Sequence, residues 1–552
     1  MIHWRALLCL ALAAPARAAA QTPLQRAQAL LGAGDYRGAV QLLDSMVHAG
    51  PQNGRVWLAL GNARRGLGQG DSAAAAFRQA LTFPGARSLA TRSLFLLAAS
   101  LGRRDEAWQW FQAARLLPQM DLSGIAADTS VRNLHDDPRF AMLFPDLIAF
   151  DPPFIENTRI IHEWRGERAG DEFGWIARPI GDVDRDRISD LVVSAPSNPP
   201  YGTSTGWIYV YSGRSGALLW KHEGIRGALL GISVEAAGDV NHDGVPDVIA
   251  GAPGVNTAWV YSGRDGRELL RLNGDSADQN LGSNVAGVGD LDGDGYDDII
   301  ASAPGSNATA AGAGRAYVFS GRDGHRMLTL DGEAAGNSFG TATAGGAGFI
   351  VVGAGSAGPQ NLGRVYVYNR LTTQPLFVKD ADSTGAAFGA GFASVLGDVN
   401  GDGVPDIYAV DFPNRALGPA TGRCYIFSGR DGATLLTITG ETAGEGFGIG
   451  PAVTGDLDGD GRADLVVGSW QYGGTAWSGG RVTVRSGLDG HVLEAITGKV
   501  PGETLGFDAV GIGDVDGDGR TDYLVTSAWS MVNGLRSGRT YIIAGTVRRD
   551  VR

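Results

Sequence analysis

Apolar residues along this chain follow two rhythms, and the change between them falls near residue 150. From about 22 to 118 the chain is rich in Ala and Leu and repeats every 34 residues. Gly34, Gly68 and Gly102 stand in register, as do Ala39, Ala73 and Ala107, then Leu43, Phe77 and Phe111, then Met46, Ala80 and Ala114. A small residue lets two helices approach, and a bulky one four positions on fills the groove between them. Three helix pairs are therefore expected over 21–118. Residues 119–155 form a junction, in which Asp136-Asp137-Pro138-Arg139-Phe140 suggests a short turn or helix and Asp151-Pro152-Pro153 a stiff boundary.

From Glu156 onward the apolar runs are short and bounded by Gly, Ser and Asp, the mark of short strands. One unit opens at Leu230-Gly231, runs to Gly238, passes through an acidic loop, and continues as Val248-Ile249-Ala250 to Gly251-Ala252-Pro253. It then reads Ala258-Trp259-Val260-Tyr261, the turn Ser262 to Gly266, and Glu268 to Leu272. Four locally joined strands predict an antiparallel blade. The opening recurs at Phe173, Leu230, Leu281, Phe339, Phe388, Phe447 and Leu505, so seven blades are expected over 156–550. The last unit has three strands, ending with Thr540-Tyr541-Ile542-Ile543, and Thr158 to Trp164 is expected to supply its fourth and close the ring.

Between the first and second strands six blades carry Asp-x-Asp/Asn-x-Asp-x-x-x-Asp. Side-chain ligands at positions 1, 3, 5 and 9 would be Asp182, Asp184, Asp186 and Asp190 in the first loop, and Asp239, Asn241, Asp243 and Asp247 in the second. They would be Asp290, Asp292, Asp294 and Asp298 in the third, and Asp398, Asn400, Asp402 and Asp406 in the loop of blade five. The last two loops offer Asp456, Asp458, Asp460 and Asp464, and Asp514, Asp516, Asp518 and Asp522. Position 7 would add the main-chain carbonyl of Ile188, Val245, Tyr296, Val404, Arg462 or Arg520. Hard oxygens at alternate positions, with Gly permitting the sharp turn at position 6, select Ca2+ over softer-ligand metals, giving up to six ions. So many carboxylates in nine residues would otherwise repel one another. The first loop, with Arg187 where the others carry Gly and Arg185 nearby, is expected to be the weakest. Blade four has no such loop; Gly345-Gly346-Ala347-Gly348 replaces it, so a blade closes without metal.

The formal charge is −13, which argues against a nucleic-acid partner. Much of it sits in the six loops, where divalent ions would neutralise it. Residues 1–20 read as a secretory signal: Arg5, the apolar run Ala6 to Ala14, and a small-residue cleavage site at Ala16 to Ala20. Removal of that segment takes Cys9 with it and leaves Cys424 alone, so no internal disulfide is available. No later segment is long and apolar enough to span a membrane. The expected location is secreted, periplasmic or cell-surface associated.

The 34-residue unit, which also shows Trp57, Leu60 and Gly61 as Trp-x-x-Leu-Gly, resembles the tetratricopeptide repeat. That resemblance implies a concave surface that takes a peptide partner. The Phe-Gly openings, the Gly-Ala-Pro strand ends and the acidic loops resemble the FG-GAP repeats of the integrin alpha-subunit propeller. The fold class is accordingly multidomain, an all-β seven-bladed propeller preceded by an α-helical hairpin array.

Catalytic signatures are weak. Gly202 to Gly206 and Gly336 to Gly340 match Gly-x-Ser-x-Gly but lie in loops, not in the strand–turn–helix setting of a nucleophile elbow. The acidic loops share a face with the turns joining strands three and four. The opposite face gathers the variable connections, with Tyr201, Arg415, Tyr472 and Trp477 as candidate ligand contacts and Trp470 and Trp529 beside them. Trp470 and Trp529 are read equally as packing residues between blades. Two readings follow: a non-catalytic binding, adhesion or scaffold module for a protein or glycan, and, as the alternative, an enzyme acting on an extracellular polymer through that loop face.

Overall fold

The computed structural model describes residues 23–548 except 50–52, 116, 118–124, 126–127, 144–146, 198–203, 277 and 454. The expected signal segment lies outside the described residues. The chain divides into two compact units, 1–114 and 115–552.

The first unit is an array of three helical hairpins: α1 (Pro23–Gly32) with α2 (Tyr36–His48), α3 (Gly54–Gly66) with α4 (Gly70–Ala80), and α5 (Arg87–Ser100) with α6 (Arg104–Arg115). Gly34, Gly68 and Gly102 sit in the three turns with φ near +70°, the left-handed conformation that ends a helix at least cost in glycine. Asp35 and Asn53 cap α2 and α3 by accepting from Gly38 N and Val56 N. The in-register residues Ala39, Ala73, Ala107, Leu43, Phe77 and Phe111 are all fully buried. At Gly61 a Cβ would lie 2.3 Å from the Phe77 ring, so the α3–α4 contact requires glycine.

The second unit holds seven four-stranded antiparallel sheets. The seventh is completed by Ile160–Arg165, which pairs with Arg539–Ile543, Glu163 opposite Tyr541 and Trp164 opposite Thr540. The ring thus closes by joining the two ends of the propeller sequence. Each second strand is buried from end to end, as in Asp190–Ala195 and Asp298–Ala303, because it is covered on both faces by neighbouring blades. The apolar clusters are shared between blades. Val192 and Val210 of blade one pack with Leu230 and Val248 of blade two, and Phe173 and Leu191 of blade one pack with Ile512 and Leu524 of blade seven.

The seven opening residues are buried, none more than 2% exposed. They also stitch blades together through the main chain. Leu230 N donates to Thr205 O and Leu505 N to Gly479 O, beside parallel bridges from Leu230 to Gly206 and from Leu505 to Gly480. Gly206 has φ +78°, and a Cβ there would stand 2.1 Å from Leu230 O. The pattern "Gly before strand three, Phe or Leu before strand one" is therefore one contact seen from both sides.

A second stitch is made by side chains. Arginines opening third strands reach acids at the preceding inter-blade connection: Arg423 pairs with Asp382 at 2.6 Å, Arg364 with Glu333 at 2.8 Å and Arg481 with Glu441 at 2.9 Å. The Tyr425 hydroxyl also donates to Asp382 at 2.6 Å. The Arg423 guanidinium and the hydroxyls of Thr384 and Tyr425 outweigh partial burial and hold the Asp382 carboxyl below the usual carboxylate range.

Candidate metal loops and central cavity

In every acidic loop the nine-residue pattern folds into the same network. The position-1 carboxylate accepts the main-chain N–H of position 6 in all six loops and that of position 5 in five of them, as Asp239 does from Asp243 (3.0 Å) and Gly244 (2.8 Å), and Asp182 from Asp186 (2.9 Å) and Arg187 (2.8 Å); in the blade-six loop Asp460 N donates to Asp458 instead. The position-5 carboxylate accepts from the N–H of position 7, as Asp294 does from Tyr296 and Asp402 from Val404. These short reaches turn the oxygens of positions 1, 3 and 5 toward the loop's interior. Asp290, Asp292 and Asp294 converge so that one oxygen of each lies within 4.8 Å of the others, as do those of Asp456, Asp458 and Asp460. In the first and last loops the converging sets are Asp182, Asp184 and Asp190, and Asp514, Asp516 and Asp522. The loops with Asn at position 3 form no three-carboxylate group. In one of them Asn241 Oδ1 is buried without a hydrogen-bond partner, while its Nδ2 donates to Asp247.

Position 9 has a further job that the sequence pattern does not announce. Asp190, Asp247, Asp298, Asp406, Asp464 and Asp522 are all fully buried. One oxygen of each accepts the N–H of position 2, and the other accepts the N–H of the glycine just after strand three, which in five of the six loops belongs to the turn into strand four. For Asp190 these donors are Val183 (2.8 Å) and Gly213 (3.0 Å), and for Asp298 Leu291 (2.9 Å) and Gly321 (3.2 Å). Asp406 takes Val399 and Gly429, and Asp522 takes Val515 and Gly545. The acidic loop is thereby stapled to the segment that follows strand three. Burial pushes the Asp247 carboxyl up to about 7, and those of Asp190, Asp298, Asp464 and Asp522 to about 6.

Both positions 4 and 6 are left-handed, not position 6 alone. Gly293 and Gly295 have φ +83° and +91°, Gly517 and Gly519 +80° and +85°. The first loop places Arg185 (φ +69°) and Arg187 (φ +73°) in the same two conformations. It keeps the network, with backbone strain in place of glycine. The turn arginines are another feature missed in the sequence. Arg214 reaches Asp186 at 3.1 Å and Arg430 reaches Asp402 at 3.1 Å, while Arg264 and Arg322 approach Asp243 and Asp294. Blade six has the exposed Leu488 at the corresponding position. In blade four, Ala347 (φ +50°) and Gly348 (φ +84°) form a tight two-residue turn joining the first two strands.

The candidate ligand-face residues fare unequally. Arg415 is exposed, and Tyr472 is half-buried with the Arg481 guanidinium 5.1 Å from its ring. Trp477 is not presented to solvent: it is 3% exposed and packs over Gly502, whose Cβ would meet its ring at 2.6 Å. Aromatic character in a loop pointed to recognition, but the indole is buried against the connection that leads into blade seven. Tyr201 lies outside the described residues. Trp470 and Trp529, which replace the Pro of Gly-Ala-Pro, pack together at 4.9 Å with Phe507 and Ile449, with Trp175, Phe392 and Phe412 against them. They line a cavity of about 480 Å³ enclosed by the inner strands of all seven blades. No sequence signal distinguished this cavity, because its lining comes from residues as far apart as Trp175 and Trp529.

Among the described residues no helix is long and apolar enough to cross a membrane. Comparison with known families matches an FG-GAP repeat at residues 231–267 and 281–319, an FG-GAP-like repeat at 398–467, and a tetratricopeptide repeat at 30–83. The chain is 33% identical over 172 residues to integrin alpha-PS5 of Drosophila melanogaster, covering 28% of this chain and 17% of that protein. It is 32% identical over 167 residues to integrin alpha-2 of Bos taurus, covering 27% and 14%. Over 95 residues it is 36% identical to integrin alpha-IIb of Homo sapiens, covering 16% and 9%. The similarity thus spans less than a fifth of these relatives' length. The chain carries FG-GAP and tetratricopeptide repeats, and its propeller is similar to part of the integrin alpha chains.

Proposed function

We propose that this is an exported, calcium-binding propeller that acts as a non-catalytic binding, adhesion or scaffold module. The observation that carries the calcium reading is Asn241 Oδ1, a buried oxygen with no partner in a loop whose neighbouring oxygens are all hard donors. A buried unpaired acceptor costs about 1–3 kcal/mol, and a cation held in the loop would satisfy it. Carboxylate and carbonyl oxygens at irregular spacing suit Ca2+, which accepts such shells, better than Mg2+, which demands octahedral geometry. Asp290, Asp292, Asp294 and Asp298 would hold the ion in the third loop together with the Tyr296 carbonyl. The ion would neutralise loops that lie in series around one face and stiffen them.

The binding reading draws on the variable connections, which gather on the face opposite the acidic loops and suit a protein or glycan, and on the similarity to integrin alpha chains. The helical hairpins would add a peptide-binding surface. The histidines speak against catalysis in the loops. His162 and His222 bond main-chain carbonyls, while His325 and His491 bond the Asp of their own turns. The signal pattern of residues 1–20 supports export, and the net charge of −13 disfavours nucleic acid.

Calorimetric titration of the metal-free mature chain with Ca2+, run alongside thermal unfolding, tests the reading. Binding together with a raised unfolding temperature is expected. Absence of any bound divalent ion would remove the metal assignment.

A further inference from the structure

We infer that the central cavity is a saccharide site that takes the terminal unit or disaccharide of a glycan; this deepens the binding-module reading and rests on it. The cavity, at about 480 Å³, falls within the ~300–1,000 Å³ usual for small-ligand sites. Its two walls differ in chemistry. Blades one, five, six and seven contribute Trp175, Phe392, Phe412, Trp470, Phe507 and Trp529. Blades two, three and four contribute Ser233, Glu235, Asn284, Thr341 and Thr343.

Aromatic rings on one side and hydroxyl, amide and carboxylate groups on the other match a pyranose, which has an apolar C–H face and a rim of hydroxyls. Several wall groups have bonding capacity left. Thr343 Oγ1 has no partner among the described residues. Ser233 Oγ accepts from Val285 N at 3.2 Å, which leaves its proton to donate. Asn284 gives Nδ2 to Gly340 O at 3.1 Å, which leaves its side-chain oxygen for a ligand.

The floor is polar and fixed. Arg178 donates Nε to Glu235 Oε2 at 3.0 Å and pairs with Asp508, which is fully buried and also accepts Ala177 N. Both carboxylates are engaged by one guanidinium, so the site does not present an uncompensated pair of anions to a cation. An ammonium group would seek rings on several sides; here they stand on one. A neutral polyhydroxylated ligand uses both walls.

The experiment titrates the full-length mature chain, in Ca2+, with cellobiose, maltose, lactose and N,N′-diacetylchitobiose, and with choline and L-arginine amide as cationic probes. Binding is read by calorimetry and by tryptophan fluorescence, since three indoles line the cavity. At least one disaccharide should bind and change the fluorescence. Phe392→Ala, at a half-buried position, and Thr343→Val, which is isosteric and breaks no bond within the chain, should each weaken it about tenfold. Leu488→Ala, at an exposed turn on the acidic-loop face, should leave it unchanged. No binding of any disaccharide in the millimolar range overturns the assignment. So does binding of the cationic probes alone, or saccharide binding that neither variant weakens. Calcium-dependent stabilisation, measured separately, decides the structural-ion reading, so loss of one leaves the other standing.

Discussion

Replacing Asp298 by Asn separates the two roles of position 9 in the acidic loops. The substitution keeps volume and opens no cavity. The native carboxylate accepts from Leu291 N at 2.9 Å and from Gly321 N at 3.2 Å, one bond per oxygen, at a fully buried site. An amide has one acceptor oxygen, so one of these N–H groups must face an NH2 group. An orphaned buried donor costs about 1–3 kcal/mol, and the surviving bond loses the benefit of a charged acceptor, about 1 kcal/mol more. Burial, which pushes the native carboxyl up to about 6, makes the charge itself costly and offsets part of this. The net expectation is about 2 kcal/mol at neutral pH in EDTA. Asp294→Asn is the control: Asp294 is exposed and accepts only Tyr296 N, so its change in EDTA should stay within about 0.5 kcal/mol. Urea unfolding of the propeller, followed by tryptophan fluorescence, gives both values from the midpoint shifts. In Ca2+ both variants should also forfeit the ion's contribution at that loop, about 2.7 kcal/mol at a concentration one hundred times Kd. If the two variants are equal in EDTA, position 9 is only a ligand and the staple argument is wrong.

Arg187→Gly should stabilise the first loop by about 0.5–1 kcal/mol, since relief of a left-handed non-glycine exceeds the entropy glycine adds to the unfolded chain; calorimetry should also find this site binding Ca2+ more tightly. Gly206→Ala puts a methyl against the Leu230 carbonyl at φ +78° and should cost about 2–4 kcal/mol by denaturant unfolding; an unchanged midpoint would reject the inter-blade stitch. Asp382→Asn bears on acid stability. Its folded pKa is depressed, so its contribution is present above the unfolded value near 4 and is lost as pH falls below it. The variant should lose about 1–2 kcal/mol at pH 7 and show a shallower decline than the native chain below pH 4; parallel pH profiles would refute this.

Much of the architecture was legible because it is repetitive. A 34-residue register fixed the buried faces of the helices, and Ala39, Ala73 and Ala107 with Leu43, Phe77 and Phe111 all occupy the core. Seven openings gave seven blades, and a missing fourth strand gave the closure by Ile160–Arg165. These follow from local pattern, since each repeat must bury the same face against its neighbour. The acidic loops were equally visible, because ligand spacing within nine residues needs no tertiary information.

The rest depended on long-range contacts. Arg423 and Asp382 pair across a blade boundary, and Asp298 binds Gly321 across a sheet. Nothing in either neighbourhood marks the partner. Trp477 and Trp529 look alike as loop aromatics, yet one packs against Gly502 of a neighbouring connection and the other lines the central cavity. The sequence by itself determined the repeats, the ring size and the oxygen-rich loops, all properties of a single unit. Only the tertiary structure decided which side chains from seven separate units meet at the axis, because circular closure is what brings the inner strands together around one cavity.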